Sequence, residues 1–279
     1  MQGPIRRSAV AGSWYPGSPA AIAAEVESYR GGVPARSLPG RLVALISPHA
    51  GLRYSGPVAA HGYALLAGRR DVTVVLVGPS HRVAFDGIAL CARGAFETPL
   101  GQVPIDEELA QALLAAEPRI ADDPRPHRDE HSLEMQLPFL QHFVRGLRIV
   151  PVLMGSQARS EVEALAVALG RVVEAGTDTV LVASSDLSHY HPAAVANRLD
   201  ALVVGDVERF DADALMERLE HSHEHACGGG PIVTVMKAAR SLGADRALVL
   251  RYADSGDAGE RDKSRVVGYL AAALCATES

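Results

Sequence analysis

Leu42-Val43-Ala44-Leu45-Ile46 running into Ser47-Pro48-His49-Ala50-Gly51, Val72-Thr73-Val74-Val75-Leu76-Val77 into Gly78-Pro79-Ser80-His81, and Val180-Leu181-Val182-Ala183 into Ser184-Ser185-Asp186-Leu187-Ser188-His189 follow one plan. In each, a short apolar run rich in β-branched residues stops at a tight polar cluster that carries a histidine. Such runs, bounded by Gly and Pro, predict strands buried on both faces. With helical patterns between them, they predict an α/β fold: a mixed, largely parallel central sheet covered by helices on both faces. Ligands of such sheets bind beyond the carboxyl ends of the strands. Three histidines at three strand ends are therefore placed to converge on one point, which points to a metal site.

Outward from these strands, Ser18-Pro19 opens a helix to about Tyr29, with Pro suited to its first turn. The spacing predicts helices over Ser55 to Leu66 and Asp106 to Ala116, the latter starting in acidic residues that suit the helix dipole. His131 to Val144 is helix-like, with Pro138 expected to kink or interrupt it. Ser160 to Glu174 reads as a helix capped by Ser160, with Glu163 completing a capping box. Pro192 to Leu219 is helical with a break near Phe210, and Gly228-Gly229-Gly230-Pro231 precedes a helix from Ile232 to Leu242. Gly87 to Cys91, Arg148 to Met154, Arg246 to Tyr252 and Arg265 to Leu274 read as further strands. No internal repeat or long polar linker divides residues 1–279, so one domain is expected.

With 279 residues, 48% of them apolar, the chain can bury a sizeable core. A net charge of −6 in mixed signs lacks the basic footprint of a nucleic-acid binder. No apolar run suggests a membrane span, and Met1 to Arg7 leads into no signal-peptide core, so a cytoplasmic location is expected. The three cysteines, Cys91, Cys227 and Cys275, form no C-x-x-C pair, which argues against a disulfide framework and a thiolate zinc knuckle.

Eleven histidines are many for this length. His221-Ser222-His223-Glu224-His225-Ala226-Cys227 ends in a thiol before a Gly-rich turn, where a helix N-terminus or a bound cation can deprotonate it. Two imidazoles with a thiolate or carboxylate, and open positions for water or substrate, suit iron(II) or zinc. Cys91 and Cys275 lie in apolar runs and read as buried thiols. Asp186 either caps the turn after its strand or orients a ligand, and His189 is the candidate general acid or base. His191 competes with it, but the following Pro192 favours an extended turn there and places His189 first. His131 and Glu134, spaced i, i+3 on the expected helix, are candidates for supporting the ligands or facing substrate. His221 and His225 read as solvated. The glycine run could cradle an anion, though it lacks the P-loop lysine and spacing.

Pro48-His49-Ala50-Gly51 with Tyr54-Ser55-Gly56, Gly78-Pro79-Ser80-His81, Asp129-Glu130-His131-Ser132-Leu133-Glu134-Met135-Gln136-Leu137-Pro138, Ser184-Ser185-Asp186 and Cys227-Gly228 together resemble the Memo family. Ala11-Gly12-Ser13-Trp14-Tyr15 and the segment Ser264 to Ala272 fit it as well, so the resemblance spans almost the whole chain in order. Bacterial and archaeal members are called AmmeMemoRadiSam system protein B, which implies a radical-SAM protein as a partner. A eukaryotic member is described as a mediator of receptor-driven cell motility. The family is similar in fold to the class III extradiol dioxygenases, which use non-haem iron(II).

The resemblance implies His49, His81 and Cys227 as metal ligands, with Asp186 and His189 beside them, and His223, four residues before Cys227, as the expected pocket contributor of its cluster. Fe(II) is the first expectation, with Cu or Zn as alternatives. The dioxygenases carry a glutamate where this chain has Cys227, and the softer thiolate points to iron or copper redox chemistry rather than catechol cleavage. The expected activity is thus redox or dioxygenase-like, on a small substrate that the sequence does not name. Two other readings stand beside it. One is a metal-assisted hydrolase; Gly78-Pro79-Ser80-His81-Arg82 lacks the second glycine of a nucleophile elbow. The other is a peptide- or protein-binding module that retains the pocket.

Overall fold

The computed structural model describes residues 3–222, 224–258 and 262–277. In chain order its elements begin with β1 (Ile5–Arg6), α1 (Pro19–Gly31), β2 (Gly40–Ser47), α2 (Leu52–Tyr63), β3 (Thr73–Pro79), β4 (Ile88–Leu90), β5 (Ala95–Thr98) and β6 (Gly101–Pro104). Next come α3 (Glu107–Ala116), β7 (Ile120–Asp122), α4 (Leu137–Phe143), β8 (Arg148–Met154), α5 (Arg159–Val172) and β9 (Thr179–Ser184). The last are β10 (His189–His191), α6 (Ala193–Glu208), α7 (Ala212–His221), α8 (Gly229–Ser241), β11 (Arg246–Asp254) and β12 (Val266–Thr277). No described helix is long and apolar enough to cross a membrane.

The three quoted apolar runs become β2, β3 and β9, and every residue of β3 is buried. The large sheet runs β10-β12-β2-β9-β3-β8-β4-β7, with β11 paired to β12. β2, β9, β3 and β8 are mutually parallel neighbours, while β12 and β4 join them antiparallel, so the sheet is mixed as expected. Burial on both faces explains the uninterrupted Val, Leu and Ile in these strands. α2 packs on β2, β11 and β12 with α1 and α4 beside it, whereas α8 packs on β2, β3 and β9 with α5 and α7 beside it. A separate small sheet joins β1, β5 and β6.

Local chemistry sets the helix ends. Ser18 caps α1 by accepting from Ala21 N, and Asp106 caps α3 by accepting from Leu109 N, with Glu107 and Glu108 in its first turn. The break near Phe210 is real: that residue takes φ +56° and Asp211 caps α7. Three expectations are corrected. Pro138 sits in the first turn of α4 rather than interrupting a longer helix, because its missing N–H is harmless there. α5 starts at Arg159, so Ser160 lies inside it and makes no capping box. α8 begins at Gly229 rather than at Ile232, with Pro231 in its first turn.

Candidate metal centre

β9 lies between β2 and β3, so the segment that follows it, Ser185-Asp186, sits between the loops carrying His49 and His81. Asp186 Oδ1 accepts the backbone N–H of His49 at 2.7 Å and of Ala50 at 3.3 Å, which holds the loop after β2 against the end of β9. Burial pushes the Asp186 carboxyl up, although these N–H groups oppose the shift. His131 arrives from the loop before α4, held over the end of β3 by the Ser132 hydroxyl donating to Pro79 O at 2.8 Å. Ligand atoms of His49, His81 and His131 all fall within 4.8 Å of one another. Two of the three sit at strand ends as expected, and the third comes from a loop.

The hydrogen bonds around these rings leave nitrogen lone pairs free. The Ser184 hydroxyl donates to Ser132 O at 2.7 Å and accepts from Gln136 Nε2 at 2.8 Å. Its proton is thereby committed, so its 2.8 Å contact with His49 Nδ1 requires the ring to donate and leaves His49 Nε2 unprotonated. His81 Nδ1 donates to Glu130 Oε1 at 3.0 Å, which leaves Nε2 as its free nitrogen. His131 Nδ1 is buried 3.2 Å from the same Glu130 Oε1, without the geometry of a hydrogen bond. Metal-binding histidines are oriented in this way, by a partner on the far ring nitrogen.

Glu130 is the organiser. Its carboxylate also accepts backbone N–H groups of His81, Arg82, His131 and Ser132. Burial alone would push it up, but the His81 hydrogen bond, the field of His131 and the Ser132 N–H outweigh burial and hold it well below the usual range. Burial and the neighbouring His81 push His49 well down, and burial with His49 pushes His131 down to about 3. Neutral imidazoles are the form that binds a metal. The unprotonated Nε2 atoms of His49 and His81, with the His131 ring beside them, fit a cation of the imidazole-binding class.

Cys227 Sγ lies 3.3 Å from His49 Nε2 and 3.6 Å from Asp186 O, beside the three-histidine cluster. Burial and then the Asp186 charge push its thiol well up, so the expected lowering by a helix N-terminus is overridden. The glycine run serves close packing. A Cβ on Gly228 would lie 2.5 Å from Ser184 O, and the N–H groups of Gly228 and Gly230 go to Ser185 Oγ and Gln157 Oε1. That leaves no nest for an anion.

The histidines open into a cleft of about 720 Å³ lined also by Trp14, Tyr54, Asp186, His189, Tyr190, Arg265 and Tyr269. His189 Nδ1 donates to Leu187 O at 2.8 Å, leaving Nε2 free. His191 is not among the lining residues. Glu134 is placed elsewhere: His131 precedes the short helical turn over Glu134–Gln136 and shares no helix face with it. The Glu134 carboxylate accepts from Ala9 N, Val10 N, Tyr15 Oη and Arg6, anchoring the N-terminal segment, which sets Trp14 against the His131 ring at 4.3 Å. His223 lies outside the described residues. His225 is buried rather than solvated, while His221 is exposed. Sequence reasoning gave Glu130 no role, although it lies in the quoted Asp129 to Pro138 stretch, and gave His131 only a supporting place.

A family model described as Memo-like protein matches residues 6–273. A MEMO1 family protein of Methanothermobacter thermautotrophicus is 38% identical over 95% of this chain and 98% of its own length. One from Sulfolobus acidocaldarius is 39% identical, again over 95% and 98%. A crystal structure of an uncharacterized protein from Escherichia coli K12 superposes with a TM-score of 0.55 at 14% identity, covering 82% of this chain and 99% of that one, which supports the fold. With nearly the whole length matched by the family model and by full-length relatives, this chain belongs to the Memo family.

Proposed function

We propose that the chain is a metal-dependent redox enzyme of dioxygenase-like character, acting on a small molecule in the cleft beside His49, His81 and His131. The observation that carries this reading is the convergence of three imidazoles, His49 and His131 buried and His81 exposed to the cleft, whose Nδ1 atoms face Ser184 and Glu130. His49, His81 and His131 would supply nitrogen donors, with Cys227 Sγ as a further donor. Typical metal–nitrogen and metal–thiolate lengths at a tetrahedral angle put the two donor atoms about 3.5 Å apart. The 3.3 Å between His49 Nε2 and Cys227 Sγ matches that spacing. Such a donor set suits Fe(II) first, with copper and zinc as alternatives, and a bound metal would supply Lewis acidity or electron transfer.

The chain's own residues have separate tasks in this reading. Asp186 fixes the loop that carries His49, and Glu130 fixes His81. His189 offers a free Nε2 at the cleft to take or return a substrate proton. Trp14 and Leu133 help exclude water, the first against His131 and the second buried behind Gly78. The free His189 nitrogen would equally serve a metal-assisted hydrolase, the second reading. Oxygen uptake by metal-loaded protein in a screen of small reductants tests the first. Ester or amide turnover without oxygen uptake would replace it with the second.

A further inference from the structure

Tyr190 is strained without evident return. It takes φ +62°, where a bulky residue is a genuine outlier, yet its side chain is not buried: the residue is 63% exposed. The register of β10 against β12 shifts between His189 and His191, so a bulge at Tyr190 turns its ring out at the rim of the cleft. Bulges and backbone strain of this kind concentrate where a side chain must be aimed at a ligand. The ring lies under the Arg265 guanidinium, 5.3 Å from centroid to Cζ, and 5.6 Å from the His189 ring.

Arg265 is the second observation. Among the described residues it has no hydrogen-bond or carboxylate partner, although Lys263, two residues earlier, is paired with both Asp254 and Asp257. The sole acid lining the cleft among the described residues is Asp186, buried with its Oδ1 on backbone N–H groups. A chain of net charge −6 therefore presents Arg265 into an aromatic-walled cleft with Trp14, Tyr54, Tyr190 and Tyr269 around it. Stacking on Tyr190 leaves the guanidinium edge, with its fork of N–H donors, free for an oxyanion. A cleft of this volume is in the range of small-molecule sites.

We propose that Arg265, braced by the strained Tyr190, binds the anionic group of the substrate, and that the substrate is a small planar molecule carrying a carboxylate or phosphate. This rests on the enzymatic reading of the same cleft and names its substrate class. Arg265 sets specificity by touching the anion, and Tyr190 positions it.

The test is calorimetric binding of benzoate, phenyl phosphate and neutral benzyl alcohol to the full chain, with metal content measured on the same samples. Benzoate or phenyl phosphate should bind more tightly than benzyl alcohol, and the tighter of the two identifies the anion. Arg265→Gln should weaken anion binding about tenfold or more, Arg265→Lys less so, with benzyl alcohol and metal content unchanged. Tyr190→Gly should weaken anion binding while leaving Tm level or raised, since glycine accepts the left-handed backbone without strain. Equal binding of all three probes by the native chain, or unchanged anion binding in Arg265→Gln, overturns the proposal. Unchanged anion binding in Tyr190→Gly removes Tyr190 from it. Anion selectivity in a chain that takes up no metal supports the anion site and fails the metal reading alone.

Discussion

The Glu130 carboxylate lies 3.0 Å from Nδ1 of His81 while also accepting the backbone N–H of His131 at 2.8 Å, so one buried acid sets both a ring and a loop of the candidate centre. Glu130→Gln turns an acceptor oxygen into an amide NH2 donor facing N–H donors. It should cost on the order of 1 to 3 kcal/mol of stability. Metal affinity should fall about 10- to 100-fold through lost orientation of His81. Urea denaturation with metal titration checks both; native affinity in the variant would show that His81 orients without Glu130.

Trp14 is the chain's single tryptophan and packs 4.3 Å from His131. Metal added to the metal-free protein should change Trp14 fluorescence in proportion to occupancy. Glu134→Ala removes the acceptor of Ala9, Val10 and Tyr15 and leaves the buried Arg6 guanidinium without its carboxylate, held only by the His127 and Glu130 carbonyls. The variant should lose about 3 to 5 kcal/mol, as breaking a buried pair does. Its fluorescence should no longer respond to metal. A full response at native stability would contradict the anchoring role.

His127 is buried, donates Nε2–H to Ala89 O at 3.2 Å, and is pushed down to about 4 mainly by burial. As pH falls from the ordinary histidine value near 6.5 toward 4, the unfolded chain takes up a proton that the folded chain refuses. Stability present above about pH 6.5 is therefore lost over that window, by up to roughly 3 kcal/mol from this residue. Urea midpoints between pH 7 and pH 4.5 should show the slope, and His127→Gln should reduce it. An identical slope in that variant would assign the acid sensitivity elsewhere.

The central strands were legible because their signal is local: each buried strand carries its own unbroken apolar run, and β2, β3, β8 and β9 fall where those runs lie. β1, β7 and β10 span two or three residues and exist only through pairing with distant strands, so no periodicity announces them. His49 and His81 were legible as strand-end residues. His131 was not, because its place depends on Ser132 reaching Pro79 and on Trp14 closing over it, both long-range contacts. Pro138 sends the same local signal for a helix start as for a break, and packing decided between them.

The most direct test of the account is elemental analysis of untagged, anaerobically purified protein beside His49→Ala, His81→Ala, His131→Ala and Cys227→Ala, each checked for native circular dichroism. The native chain should hold about one redox metal, lost in His49→Ala and His81→Ala and less firmly retained in His131→Ala and Cys227→Ala. Full metal content in folded His49→Ala and His81→Ala, or no metal in the native chain after reconstitution, would contradict it.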